Sequence, residues 1–260
     1  MTTGTTISPI DMVDTTFRMD AGAWAFVSKM LSRPFEFHEL KTRKQWAPGG
    51  DIYLLYVDSR VYQERLDEVV GLQNWEVSQK DVSIIDTTKV DVTPADAPKN
   101  NKGKPVNPVF EFKEVKYGGI QTTMTIFGVS KSDVGNPSMA EQIKGAYSDG
   151  LKRAGVLWGM GRYLYEIKNN KAAAPNENNM PDFAQPYDAP DFDPTIRAAQ
   201  VSIGNSLKEG NLEPQIKDAI IAKVRELTSQ YDIEAPLVYK RFVSLKLAEL
   251  DKTVKGMVTA

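Results

Sequence analysis

The chain has no cysteine and a single histidine, His38. The first absence excludes disulfides, thiolate catalysis and cysteine-ligated zinc. The second excludes a multi-histidine metal site within one chain. No apolar run approaches the roughly 20 residues of a membrane span. The opening "MTTGTTISPIDMVDTTF" lacks the basic start and apolar stretch of a secretory signal, and Asp11, Asp14 and Asp20 against Arg18 argue against a transit peptide. These absences predict a cytoplasmic setting and no membrane partner. Net charge is scarce as well: 32 Lys and Arg against 34 Asp and Glu leave −2. No whole-molecule field draws in nucleic acid, so any anion site must come from local placement.

Catalytic motifs are missing too. There is no G-x-x-x-x-G-K-[ST], so a recombinase-type P-loop motor is not expected. "GMGRYL" starts like a dinucleotide fingerprint but lacks the third glycine and leaves a helix instead of opening one. Neither H-E-x-x-H nor G-x-S-x-G occurs. His38 shows no partner that would make it a base. The nearest approach to an active site is "EFKEVK", where Glu111/Lys113 and Glu114/Lys116 repeat an acid-x-Lys spacing. A metal-dependent nuclease uses such pairs with a further acid, but paired surface charges on a strand are the commoner reason for the pattern. The expectation is a chain with no catalytic residues, no metal and no cofactor.

What is present suits an α+β fold. The length of 260 residues, with 41% hydrophobic, fits one core with room for a smaller unit. Residues 1–22 are Thr-rich and weakly periodic, which predicts a mobile tail. Trp24, Phe26, Val27, Met30 and Leu31 read as a short helix or docking segment, stopped at Pro34. A Pro-Gly-Gly turn precedes a strand over Ile52–Val57. "DSRVYQERLDEVVG" is a helix with Asp58 as N-cap, Tyr62, Leu66, Val69 and Val70 as its stripe, and Gly71 as its stop. "NWEVSQKDVSIID" is a strand, and residues 86–108 a long polar connection. "VFEFKEVKY" and "IQTTMTIFGVS" read as two strands turning at Gly118-Gly119. Ser138 and Glu141 form a capping box for the next helix. Its apolar face is Ile143, Ala146, Tyr147, Leu151, Ala154, Leu157 and Trp158, with Tyr147 and Trp158 assigned to the core. Residues 171–195 compose an acidic, Pro/Asn-rich linker, and 196–260 a helical region marked by Ile216, Ile220, Val224 and Leu227, then Val238, Phe242, Leu245 and Ala248.

The stretch "AYSDGLKRAGVLWGMGRYLY" concentrates cations, glycines and aromatics. Lys152 and Arg153 lie off the apolar stripe, with Lys144, Arg162, Lys168 and Lys171 close in sequence. Cations that follow phosphates beside aromatics are what single-strand sites use; a solvated helix face is the simpler alternative.

Three features resemble a known family. A helix with "RLDEV" leads into an "NW" strand. A "GVS" strand end precedes an acidic turn. A helix then carries "A-x-S-D-G-L-K-R-A" and exits through "G-x-G-R-Y-L-Y". In order and spacing, over roughly residues 35–168, this is similar to the Rad-fifty-two-type single-strand annealing superfamily. Within it, the chain looks closest to the bacterial DdrA branch and phage annealing proteins. The resemblance implies a β-β-β-α core with a flanking helix over residues 23–170, plus a small C-terminal helical region. It also implies ring or helical homo-oligomers, a cationic groove for single-stranded DNA, and ATP-independent annealing in recombination or repair. The family's Lys-Arg pair corresponds to Lys152 and Arg153; where eukaryotic members often carry a further cation three positions on, this chain has Val156. A basic residue ahead of the first strand corresponds to Arg43 or Lys44, and Tyr56 and Arg60 fall near the strand-to-helix contact region. Lys144 and Arg162 complete the expected DNA-binding set. Single-stranded DNA, self, and a single-strand-binding or recombination partner reached through the C-terminal region are the expected partners. A chain cut at residue 172 is expected to keep its DNA binding. A single-strand-binding or end-protecting protein without annealing activity remains an alternative, and a metal-dependent nuclease using the acid-x-Lys pairs is a further one.

Overall fold

A computed structural model describes residue 10 and residues 13–47, 50–136, 142–165, 189–229 and 235–259. In chain order its elements are α1 (Ala21–Leu31), β1 (Leu40–Ala47), β2 (Gly50–Val57), α2 (Ser59–Val70), β3 (Trp75–Asp91), β4 (Phe110–Ile126), β5 (Val129–Gly135), α3 (Gln142–Leu157), α4 (Asp193–Glu209), α5 (Pro214–Ser229) and α6 (Leu237–Thr259). The fold is α+β. β1 and β2 form an antiparallel pair, and a separate sheet runs β3-β4-β5. The expected capping box at Ser138 and Glu141 lies outside the described residues, as do Lys168, Lys171 and most of the expected linker.

Two compact units cut across the expected boundaries. One collects the described residues of Met1–Glu76, Thr125–Ser130 and Gly155–Ala260; the other those of Val77–Met124 and Lys131–Ala154.

In the first unit, α1 starts where Asp20 accepts a 2.7 Å hydrogen bond from the Ala23 amide. α2 buries the expected stripe, Tyr62, Leu66, Val69 and Val70, and ends at Gly71 with φ 89°. Asp58 precedes α2 but makes no side-chain cap; its carboxylate pairs with Lys41 of β1 instead. The segment expected as a mobile tail differs most. Ile10 and Val13 are buried in one cluster with Ile196, Ile203, Ile220, Leu227, Val243, Leu247, Leu250 and Val254. Thr15 donates to Glu226 at 2.7 Å, and Lys223 donates to the Val13 carbonyl at 2.7 Å. The Thr-rich composition hid this because the partners lie 210 and 211 residues away. On α6 the buried seam is Val243, Leu247, Leu250 and Val254, while the expected Leu245 is 54% exposed. α4 begins inside the expected linker. Phe192 meets Phe26 edge-on at 5.9 Å, and Asp193 pairs with Lys240 at 3.4 Å.

In the second unit, β4 is one strand of 17 residues, not two. Gly118 and Gly119 lie within it and make no turn. The glycine at 119 serves close approach: a Cβ there would lie 2.8 Å from Val134 Cγ1 and 3.0 Å from the Gly135 carbonyl oxygen. The chain turns later, at Phe127 (φ 46°) and Gly128 (φ 78°), two successive left-handed residues as a type I′ hairpin requires. "GVS" therefore opens β5 instead of closing a strand. Thr123 and Ser132 bond across β4 and β5 at 2.8 Å, setting their register.

α3 approaches this sheet through small residues. Ala146, Gly150 and Ala154 are buried, whereas Ile143 is 72% exposed and Tyr147 is also exposed, against the expectation for both. A Cβ on Gly150 would lie 2.2 Å from Thr122 Oγ1, and one on Gly135 would lie 2.2 Å from the Ala146 carbonyl oxygen. Backbones this close leave no room for a large side chain. Gln79 ties the contact together, donating to Thr122 Oγ1 at 2.9 Å and to the Tyr147 carbonyl at 3.0 Å.

Gly150→Ala is expected to destabilise the protein despite alanine's helix preference of about 1 kcal/mol. The overlap falls on Thr122, which is fully buried; overpacking costs about 1–3 kcal/mol and a disturbed Gln79 hydrogen bond about 1 more. Thermal denaturation should show a melting temperature lowered by several degrees, partly restored by adding Thr122→Ala. A melting temperature at or above that of the parent would show that α3 does not lie this close.

Candidate nucleic-acid interface

The close fit of α3 decides which of its side chains face outward. With Ala146, Gly150 and Ala154 against the strands, Lys152 and Arg153 are only partly buried and Lys144 is exposed. Arg153 donates through Nε to Asp133 of β5 at 3.3 Å, with 40% of its side chain exposed. Asp133 falls where an acidic turn was expected after "GVS", but it lies on β5. Asp149 on the same helix accepts from the Asn136 amide at 3.2 Å. A guanidinium offers five N–H donors, so the Asp133 contact holds Arg153 by one edge. Lys144, Lys152 and Arg153 thus share one helix of the second unit.

The remaining expected residues belong to the first unit. Arg43 and Lys44 are both exposed on β1. The register pairs Lys41 with Tyr56, Arg43 with Leu54 and Lys44 with Tyr53. Alternation along a strand then puts Arg43 on the face of Lys41 and Tyr56, and Lys44 on the other. Arg60 is exposed in the first turn of α2. The bond to Asp58 raises the pKa of Lys41.

Arg162 has a structural task. Its guanidinium donates to the Val156 and Leu157 carbonyls at 3.1 and 3.4 Å, satisfying the C-terminal end of α3. The Gly-rich exit around it is a packing device as well. Gly159 and Gly161 have φ of 98° and 64°, and Cβ atoms there would meet Ser32 Cβ at 3.0 Å and the Tyr62 hydroxyl at 2.6 Å. Tyr163 accepts from the Phe35 amide at 2.9 Å, and burial raises its pKa. Burial also raises that of Tyr62. Trp158 is buried as expected and stacks on Trp24 with centroids 6.2 Å apart.

Arg65, inside the quoted "RLDEV", was not expected to matter on its own. It is 3% exposed, lies 3.6 Å from Glu39 and 3.8 Å from Glu68, and donates to the Arg33 carbonyl at 3.0 Å. Its guanidinium sits 4.7 Å over the Phe35 ring, and burial, then the Arg33 charge, lowers its pKa. A buried arginine needs such partners; it holds α2 to the segment after α1. A charge on an amphipathic helix gives no sequence sign of this.

The acid-x-Lys pair Glu111/Lys113 closes at 3.6 Å with both side chains more than half exposed. Among the described residues no three acidic or imidazole groups converge as a metal site needs. His38 pairs with Glu36 at 3.2 Å on the surface. No helix among the described residues is long and apolar enough to cross a membrane.

Comparison with known proteins bears on this helix and its sheet together. A family model described as Rad52/22 family double-strand break repair protein matches residues 24–183. The chain belongs to the Rad52/22 family. Two curated relatives are each named as single-stranded DNA-binding protein DdrA. The one from Deinococcus deserti is 29% identical over 150 residues, covering 54% of this chain and 57% of its own; the one from Deinococcus radiodurans is 29% identical over 151 residues, covering 54% and 55%. The chain spans about half the length of the curated relatives it matches. The family match takes in α1 to α3 with both sheets, and leaves α4 to α6 outside.

Proposed function

We infer that the protein binds single-stranded DNA and anneals complementary strands, without ATP, in bacterial or phage recombination or repair. Family membership and the names of the DdrA relatives support the binding. The single observation that carries the reading is the placement of Lys152 and Arg153. They lie off the buried face of a helix that Gly135 and Gly150 lock against the sheet. Such a helix holds two cations at a fixed spacing for phosphates, and bases remain exposed for pairing. Lys152 supplies a compact charge and Arg153 a planar fork. Lys144 extends the same helix; Arg43, Lys44, Tyr56 and Arg60 are the residues proposed from the first unit, and Arg162 is assigned to the end of α3 instead.

Self-assembly is part of the proposal. β3 and β5 are outer strands of their sheet, and such edges seek partners. Phe112 is 73% exposed and Ile143 72% exposed in the same unit. Apolar exposure on this scale fits a surface that a second copy covers. An oligomer repeats a modest cationic site along one strand of DNA and multiplies its hold. The C-terminal helices are the proposed route to a single-strand-binding or recombination partner, and the cytoplasm is the proposed location.

A strand-annealing assay tests the reading. Complementary oligonucleotides coated with the protein, without nucleotide or metal, are expected to pair at least tenfold faster than uncoated ones. Tight single-strand binding with no acceleration would leave a plain binder; loss of labelled DNA on adding magnesium or manganese would point to a nuclease.

A further inference from the structure

The connection between β3 and β4 is not a slack loop. The Val92 amide donates to the Val109 carbonyl at 2.9 Å, and the Val109 amide to Thr93 Oγ1 at 2.8 Å. Further out, Lys99 and Pro105 form a bridge, the Val106 amide reaches the Pro98 carbonyl at 2.8 Å, and the Asn100 amide reaches the Lys104 carbonyl at 2.8 Å. The Asn100 side chain accepts from the amides of Lys102 and Lys104 at 2.9 and 3.1 Å, and Gly103 turns the chain at φ 71°. Pro98, Pro105 and Pro108 fix three further φ angles. The result is a two-stranded ribbon with a closed, ordered tip.

That tip is cationic. From Ala97 to Phe110 the sequence carries Lys99, Lys102 and Lys104 and no acid, in a chain whose net charge is −2. All three lysines are exposed. They are also far from α3. Ile143 and Ala146 of α3 line a pocket with Gly118 of β4; from Gly118 to Phe110, at about 3.3 Å per residue, the strand spans up to roughly 26 Å.

We propose that this tip is a second nucleic-acid contact, one that holds the phosphates of double-helical DNA. Single strands are gripped by cations together with aromatic platforms. Between Lys99 and Asn107 there is no aromatic residue, so the tip offers charge without stacking. A duplex keeps its own bases stacked and presents only phosphates and groove edges. Its major groove, about 12 Å wide, admits a two-stranded ribbon. The pre-ordered turn and prolines keep the entropy lost on contact small. The tip would thus grip the duplex that annealing produces, yet it stands on its own observations and does not require the annealing reading.

The test compares a 30-base-pair blunt duplex with a single strand of equal length, by fluorescence anisotropy on the full chain. Lys99→Ala, Lys102→Ala and Lys104→Ala combined should weaken duplex binding at least tenfold. The slope of log affinity against log salt should become shallower by about 0.9 per lost phosphate contact. Single-strand affinity should change less than twofold, and the three Lys→Arg changes should retain duplex binding. Circular dichroism melting confirms that each variant is folded. Duplex affinity within twofold of the parent would overturn the proposal; so would an equal fall for single and double strands, or a parent that does not bind duplex. A parent that binds duplex but not single strands would sink the annealing reading and leave this one standing.

Discussion

Lys152→Ala with Arg153→Ala is expected to lower single-strand affinity about 25-fold at ~0.1 M salt. Each phosphate contact to a single strand contributes a slope of about 0.7 in log affinity against log salt, hence about 0.7 log units at that concentration. Two contacts make about 1.4. The loss should be the same for every base sequence, because phosphates carry none. Annealing should fall further, since each subunit of the proposed oligomer loses its share. Stability should hardly move: neither side chain is in the core, and a half-exposed pair such as Arg153–Asp133 is worth about 0–1 kcal/mol. Lys144→Ala, nearer the start of α3, should cost less. Salt titrations on the folded double variant decide the matter. An affinity and slope equal to the parent's would make the pair a solvated helix face.

Removing residues 190–260 is expected to abolish cooperative folding of the first unit, contrary to what the linker composition implies. The cut takes away the partners of Ile10 and Val13. Exposing each costs about 1.5–3 kcal/mol. Phe17 loses Tyr239 at 4.3 Å and Phe242 at 5.4 Å, and such ring pairs are worth about 0.5–1.5 kcal/mol each. The sum is comparable to the whole stability of a small domain, about 5–15 kcal/mol. Size-exclusion chromatography and thermal melting should report an aggregated or non-cooperative product. A monodisperse truncation with an unchanged melting temperature would show that the N-terminal segment does not depend on α4 to α6.

Local patterns in the sequence were legible where local physics sets them. The α2 stripe and its Gly71 stop follow from helical period and from glycine's tolerance of positive φ. Lys152 and Arg153 were readable as off-stripe for the same reason. Patterns failed where a distant neighbour decides. Gly118-Gly119 looks like a turn, but Gly119 is there because Val134 and Gly135 press against it. The helical period placed Ile143 and Tyr147 inside along with Ala146, Leu151 and Ala154; the last three are buried, but Gly150 takes the close approach to Thr122 and leaves Ile143 and Tyr147 outside. The Phe127 turn is hard to read because a phenylalanine at φ 46° is rare; its amide bonds the Asn74 carbonyl at 2.9 Å, and its ring meets Trp24 at 6.2 Å.

The strapping of Val13 and Thr15 to α5 decides when, during synthesis, the first unit can close. Their partners, Lys223 and Glu226, leave the ribosome 210 and 211 residues later, which at about 5–20 residues per second is roughly 10–40 seconds. During that interval Ile10 and Val13 have no cluster to join. The sheet with α3, in contrast, is complete once Ala154 has emerged. α3 is therefore expected to fold on the nascent chain with its sheet, while the unit containing the N-terminus closes last, through contacts of high sequence separation that form slowly.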